Sequence, residues 1–188
     1  MTFIDILSEY HIMPQFPPNV LRWLETAPTT VEKQDLKGRS DLTDKLIITI
    51  DGDDAKDFDD AVSLDILENG NYLLGVHIAD VTHYVTENSP VDRAAFSRGT
   101  SVYLIDTVIP MLPFELSNDL CSLKPDEIRL TVSVFMEISQ KGKIEDYRIC
   151  ESFIKSRERM TYHNVTKILE DDESLCQRYS HLTAMLKN

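Results

Sequence analysis

Apolar positions along the chain fall into two regimes. Up to residue 45 they are sparse and interrupted by prolines; from Leu46 onward they come in short, β-branched runs. Phe3-Ile4 and Ile6-Leu7 predict a short helix that Pro14, Pro17 and Pro18 bring to an end. Pro17 or Pro18 suits the first turn of a second helix carrying Val20, Leu21, Trp23 and Leu24, with Trp23 anchoring it on the body. Thr26 to Asp44 is polar and aperiodic, an extended connector. Leu46 to Ile50 reads as a buried strand. Ala61 to Leu67 alternates, with Val62, Leu64 and Ile66 on one face and Ser63 and Asp65 on the other. Asn69-Gly70 predicts a type I′ hairpin turn, and Tyr72 to Ile78 is the returning strand. Ser89 as N-cap, Pro90 at the first helical position and Asp92 in the first turn predict a helix to about Arg98, ended by Gly99. In a second strand pair, Leu130, Val132, Val134, Met136 and Ile138 alternate with Thr131, Ser133, Phe135 and Glu137. Gln140 to Lys143 turns the chain and Ile144 to Lys155 returns. Thr161 caps a helix reaching about Leu169. A further helix from near Asp172 carries Leu175, Tyr179, Leu182 and Leu186 at helical spacing. The pattern predicts an α+β fold, a mixed, largely antiparallel sheet with flanking helices.

A chain of 188 residues, 42% hydrophobic and 27% charged, is the size and composition of one globular domain or one and a half. The 32 acidic against 19 basic residues leave a net charge of −13, which excludes a purely electrostatic grip on nucleic acid or an anionic membrane. Cys121, Cys150 and Cys176 are widely spaced and form no CxxC pair, so they read as reduced thiols rather than zinc ligands or disulfides. The N-terminus lacks a signal-peptide pattern and no stretch approaches the ~20 apolar residues of a membrane span. The expectation is a soluble, cytoplasmic protein with no membrane partner.

The sharpest feature is Asp51-Gly52-Asp53-Asp54-Ala55-Lys56-Asp57-Phe58-Asp59-Asp60, bracketed by two core-forming strands. Acidic runs are commonly solvated loops, but this one is tightly bracketed and interrupted by Phe58. Two carboxylates ~5 Å apart at an effective dielectric near 20 repel by about 3 kcal/mol. Four converging on a shared point would take up protons or splay apart without a divalent ion. All-oxygen ligation favours Mg²⁺ or Mn²⁺. An EF-hand starting at Asp51 would need Gly and Glu where Lys56 and Val62 stand, and zinc would need more than the lone His77. Metal-assisted phosphoryl chemistry remains.

The segment Thr49 to Val62 closely resembles the catalytic signature of the ribonuclease II/ribonuclease R family of exoribonucleases. The match continues through Gly75 to Val81, Arg98 to Leu104, Ile109 to Pro113, Leu120 to Leu123 and Arg159 to Tyr162. Gly52 and Phe58 make it more similar to the ribonuclease R branch. The resemblance implies a partial RNB domain and processive, Mg²⁺-dependent hydrolysis of single-stranded RNA from the 3′ end, releasing nucleoside 5′-monophosphates, with no preference for DNA. It places the catalytic aspartates on Asp51, Asp57, Asp59 and Asp60. By that analogy Asp51 and Asp60 hold the metal, Asp57 supports it, and loss of Asp59 stops chemistry. Tyr103 matches the tyrosine that stacks on the last base, and Tyr162 the one that helps distinguish ribose from deoxyribose. Residues 1–45 then form a connector and 46–188 the N-terminal portion of the catalytic domain, whose second half supplies an arginine clamp for the scissile phosphate. The expectation is a fragment weak or inactive alone, with apolar surface around Leu175, Tyr179 and Leu182 that favours self-association. The alternatives are a non-catalytic metal- and RNA-binding or protein-interaction module, and a structural acidic domain.

Overall fold

The computed structural model describes residues 3–105 and 107–187. In chain order the elements begin with α1 (Phe3–Glu9), α2 (Pro18–Leu24), β1 (Ser40–Asp41), β2 (Ile48–Asp51), β3 (Asp60–Ile66) and β4 (Tyr72–Ala79). There follow α3 (Val81–Tyr84), α4 (Pro90–Arg98), β5 (Val102–Tyr103), β6 (Val108–Ile109) and a π-helical turn at Leu116–Leu120. The chain ends in β7 (Ile128–Ile138), β8 (Ile144–Lys155), β9 (Glu158–Thr161), α5 (Tyr162–Leu169), α6 (Glu173–Arg178) and α7 (Ser180–Lys187). Two compact units result: residues 1–30 with 81–120, and residues 31–80 with 121–188.

The first unit holds α1 to α4 and the β5–β6 pair. Helix α4 forms as its sequence predicts. Ser89 Oγ accepts from the Asp92 amide at 3.1 Å, the Asp92 carboxylate accepts from the Asn88 amide at 2.7 Å, and Gly99 closes the helix at φ 75°. The first of these bonds satisfies an amide that a helix start leaves without an intrahelical partner. Arg98 at its far end donates to the carbonyls of Gln15 (2.8 Å) and Pro110 (3.1 Å) and lies over the Phe16 ring, tying the N-terminal segment to the helix.

The second unit is built on a seven-stranded sheet in the order β1-β8-β7-β4-β3-β2-β9, antiparallel except for the outer pairs β1/β8 and β2/β9. The predicted mixed, largely antiparallel sheet is what forms. The hairpin at Asn69-Gly70 closes differently from the type I′ expectation. Leu67 O accepts from the Gly70 amide (2.9 Å), Leu67 N donates to Asn71 O (2.8 Å), and among residues 68–70 Gly70 alone has positive φ, 81°. That is a type I turn followed by a left-handed bulge glycine, and Ser139 to Lys143 repeats it around Gly142 at φ 76°.

The fully buried face of the sheet is the polar one. Ser63, His77, Thr131, Ser133 and Ser152 are buried with Ala61, Ala79 and Phe135, while Val62, Leu64, Val132, Val134 and Met136 are only half-buried. Hydrogen bonding makes this burial tolerable. His77 Nε2 lies 3.0 Å from Ser63 Oγ and Nδ1 lies 2.6 Å from Ser133 Oγ. Ser152 Oγ continues the chain to Ser133 Oγ (2.6 Å) and Thr131 Oγ1 (2.7 Å). Gly75 leaves the space: a Cβ there would stand 2.4 Å from Ser63 Oγ and 2.9 Å from His77 Nε2. Residues of the connector also bind this face. Arg39 pairs with buried Asp80 at 2.5 Å and donates to the carbonyls of Thr131 and Ser152. The Lys45 ammonium lies 5.8 Å from the centre of the Phe135 ring.

Part of the opposite face is covered by the C-terminal helices. Ile48, Met160, Ile168, Tyr179 and Leu182 form a buried cluster, with Ile50, Val62, Val165, Leu175 and Leu186 packed against it. Two sequence expectations need correction here. The last helix is broken at Tyr179, which ends α6 at φ −106°, ψ 35°. Leu182 is fully buried, Tyr179 buried and Leu175 half-buried, so these residues are core and not the exposed apolar surface anticipated for them. Across this break Tyr179 and Leu182 belong to the same buried cluster as Ile48 and Ile168. Burying each such side chain is worth about 1.5–3 kcal/mol.

The buried histidine makes folding pH-dependent. Burial, aided by the Lys45 charge, lowers the His77 pKa from 6.5 to about 4. The folded state therefore holds a neutral imidazole that the unfolded chain protonates near 6.5. Its contribution is complete above that pH and is lost as the pH falls toward about 4, by about 3 kcal/mol in all and about 2 kcal/mol by about pH 5. Urea denaturation at about pH 7 and about pH 5 reads this directly. His77→Gln is expected to be less stable at neutral pH but to lose less on acidification; equal losses in both proteins would contradict the assignment.

Candidate functional site

The aspartate loop joins β2 to β3 in the second unit. Asp51 ends β2, where it pairs in register with Thr161 of β9, and Asp60 opens β3 opposite Ile78 of β4. Residues 52–59 make no strand, as expected of an Asp-rich segment. The loop is nevertheless tethered. Phe58 is buried, with its amide donating to Ser122 Oγ at 3.1 Å and its carbonyl accepting from the Leu123 amide at 2.9 Å. Ser122 Oγ donates in turn to Lys56 O at 2.8 Å. Asp59 O accepts from the Ala79 amide at 2.9 Å. From β9, the Arg159 guanidinium donates to Gly52 O (2.8 Å) and Asp53 O (2.6 Å), its centre 5.3 Å from the Phe58 ring centroid.

The structure thus brings Asp51, Asp57, Asp59 and Asp60 to one end of the sheet, where they feel one another. Burial first, then the charge of Asp60, raises the Asp51 carboxyl above its ordinary range; Asp57 adds to this, while Thr49 and Arg159 oppose it. Burial first, then Asp57, Asp60 and Asp51, raises Asp59 likewise. Asp51 Oδ2 is buried without a hydrogen-bond partner, and neighbouring Thr49 Oγ1, although it favours the ionised carboxylate, also falls short of hydrogen-bond geometry. A buried carboxylate oxygen left unpaired among like charges fits the ligand chemistry of an oxygen-seeking dication. The four do not form a closed cage: among the described residues, no three His, Cys, Asp or Glu side chains converge closely enough to hold a metal ion. The expectation of a single shared point is therefore not met by three carboxylates at once. Mg²⁺ commonly takes only one or two carboxylates and fills its shell with water and phosphate oxygens, a requirement this donor set suits.

Both predicted tyrosines are presented to solvent. Tyr162, next to Thr161 and hence at the aspartate end of the sheet, is 64% exposed; Tyr103, on β5 of the first unit, is 68% exposed. His77 faces the buried polar network and has both ring nitrogens engaged, which removes it as a ligand. Cys121 is buried and its thiol is pushed up to about 12, chiefly by burial and then by Asp59, so it is chemically quiet. A cleft of about 900 Å³ in the first unit, lined by Tyr10, Phe16, Arg93 and Arg98 among others, contains none of the predicted residues. Sequence reasoning assigned no role to Ser122 or Arg159. Both act through backbone carbonyls and amides far away in the chain, and no local pattern signals such contacts.

Residues 39–188 match the RNB domain. The chain is 58% identical over 168 residues to ribonuclease R of Thermotoga maritima, covering 88% of this chain and 24% of that protein. It is 50% identical over 184 residues to ribonuclease R 1 of Lactococcus lactis, covering 98% and 22%. Among solved structures, a Mycoplasma genitalium RNase R in complex with ribose-methylated single-stranded RNA superposes with a TM-score of 0.78 at 32% identity, covering 92% of this chain and 28% of that one. The chain thus spans about a quarter of the length of these relatives. Among the described residues, no helix is long and apolar enough to cross a membrane.

Crowded carboxylates leave a signature in the metal-free chain. An acid whose folded-state pKa is raised holds more protons folded than unfolded, so stability falls as the pH rises from its ordinary value of 3.8 through the raised one. Asp59→Asn removes one repelling charge. In EDTA at about pH 7 it is expected to raise Tm, by a margin that shrinks as the pH approaches about 4. An unchanged or lowered Tm at neutral pH would contradict the repulsion described.

Proposed function

The chain belongs to the RNB domain family, and from that premise we propose that it carries the aspartate loop of a Mg²⁺-dependent 3′-to-5′ exoribonuclease. The substrate is single-stranded RNA and the products are nucleoside 5′-monophosphates. The observation that carries the reading is the tethered loop of mutually repelling carboxylates with a buried, unpaired Asp51 oxygen. Asp51 and Asp60, at the facing ends of β2 and β3, would hold the ion, with Asp57 supporting it. Mn²⁺ suits the same oxygen donors. A bound dication supplies neutralisation of phosphate charge and a more acidic water. Asp59, raised by burial and by its three neighbours, would accept a proton from an attacking water.

The exposed rings of Tyr103 and Tyr162 offer stacking surfaces for bases. Stacking is worth about 1–3 kcal/mol per base and tolerates any sequence, as a processive enzyme requires. Tyr162 follows Thr161, the register partner of Asp51, so it stands at the end of the sheet where a 2′-hydroxyl would be read. Solved structures of a relative with double-stranded and with ribose-methylated single-stranded RNA support RNA as the ligand. The chain spans only part of such proteins, and by itself is expected to be weak or inactive.

The test is degradation of a uniformly labelled single-stranded RNA by a ribonuclease R in which this sequence replaces the matching segment. Mononucleotide release is expected with Mg²⁺ and not with EDTA. Asp59→Asn is expected to lower the rate at least ~10²-fold while RNA retention persists. Equal hydrolysis by the Asp59→Asn protein would overturn the catalytic reading. RNA retention without products in the unsubstituted chimera would favour a binding module instead.

A further inference from the structure

Carboxylates that repel one another stay together only if the backbone beneath them is held, and here the grip comes from two residues outside the loop. Ser122 is completely buried, and its single hydroxyl both accepts from Phe58 N and donates to Lys56 O. It thereby ties down both neighbours of Asp57. With Leu123 N on Phe58 O and Ala79 N on Asp59 O, the backbone on each side of Asp57 and Asp59 is pinned. Such pairing resembles a strand ladder, yet one of its partners is a side chain, so ordinary strand propensity does not supply it.

The second grip is Arg159. Its planar guanidinium donates to two successive carbonyls, Gly52 and Asp53, just beyond Asp51. The same group lies near the Phe58 ring and its charge pulls the Asp51 carboxyl downward. One residue thus holds the start of the loop and offsets part of its repulsion. Both bonds leave from one terminal nitrogen, Nη2, so two successive carbonyls are gathered on a single point of attachment. The two grips meet at Phe58, whose backbone is held by Ser122 and whose ring faces Arg159.

We propose that Ser122 and Arg159 are positioning residues that lock the aspartate loop into its ion-binding geometry, Ser122 through Lys56 and Phe58, Arg159 through Gly52 and Asp53. This rests on the reading of the loop as an Mg²⁺ or Mn²⁺ site. Neither residue needs to touch ion or RNA. Outer contacts of this kind typically change metal affinity 10- to 100-fold.

The test is Mn²⁺ binding to the 188-residue chain, followed by electron paramagnetic resonance, with Tm recorded for every variant. Ser122→Ala and Arg159→Met are each expected to weaken Mn²⁺ by about 10- to 100-fold. Leu182→Ala, which destabilises the core without touching the loop, is expected to bind Mn²⁺ as the unaltered chain does. Unchanged affinity in Ser122→Ala or Arg159→Met overturns the role of that residue, and equal weakening in Leu182→Ala overturns both by tracing the effect to global stability. Asp51→Asn separates the two levels: if it too leaves Mn²⁺ affinity intact, the ion site itself is wrong and not merely its supports. Amide exchange of the unaltered, metal-free chain needs no variant to fold. Phe58 and Leu123 are expected to exchange at least ~100-fold more slowly than exposed Asp54, and exchange at the rate of Asp54 overturns the Ser122 grip.

Discussion

Like charges gathered on a backbone that is not free to relax are the constraint from which the rest of this molecule follows. A flexible Asp-rich loop would splay into solvent, each carboxylate titrating as in a peptide. Here Asp51 and Asp59 are raised by burial and by their neighbours, and Phe58, with both backbone groups bonded and its ring buried, keeps the loop from spreading. The repulsion is stored in the metal-free fold and is available to favour a cation. Affinity for an ion and instability without it are two readings of the same arrangement.

The sheet that carries the loop is adapted to the same end. A core face of Ser63, His77, Ser133, Ser152 and Thr131 is an expensive choice unless every group finds a partner, and the relay of hydroxyls around the imidazole supplies them. Directional bonds crossing β3, β4, β7 and β8 fix register more tightly than aliphatic packing would, since a one-residue slip would leave each of these groups unpaired. Asp60 and Ala79 sit on the same strands as Ser63 and His77, so register errors there would move the ends of the aspartate loop. Gly75 belongs to this device, because any side chain at its position would occupy the space between Ser63 and His77.

Much of this architecture is legible in the residues alone because it is local. Ser89-Pro90-Val91-Asp92 with Gly99, Thr161 and Asp172 mark helix ends by short-range chemistry, and each cap forms. The aspartate loop, the strands around it and the family resemblance were legible for the same reason. What escaped is non-local. The alternating strands show which residues share a face, but not that the polar face is the one buried deepest, since that depends on partners three strands away. Tyr179 has helical spacing with Leu175 and Leu182, yet the helix breaks there, and both Tyr179 and Leu182 join the buried cluster with Ile48 and Ile168. The hairpin at Asn69-Gly70 kept its glycine but used a three-residue loop. Ser122 and Arg159 lie in blocks that carry the family resemblance, but their role was not legible, their partners being backbone groups more than sixty residues distant.

The placement of basic residues bears on how an acidic chain would meet a polyanion. Arg39 is buried against Asp80, Arg129 donates to Ser122 O and pairs with Glu127, Arg159 grips the loop carbonyls and Arg98 holds Gln15 and Pro110. A guanidinium committed to the protein's own carbonyls is not available to phosphate, so the surface is more acidic in effect than the net charge of −13 conveys. Attraction for RNA in the proposed function must then come from sources that do not depend on a basic surface. In that reading a dication among the aspartates would offset half the charge of four ionised carboxylates and present its own free coordination positions to phosphate, and the exposed tyrosine rings would bind bases by stacking. Such a division places specificity for the strand's chemistry at the catalytic end and leaves the long-range grip on phosphates, which scales with the number of cationic contacts, to surfaces other than these residues.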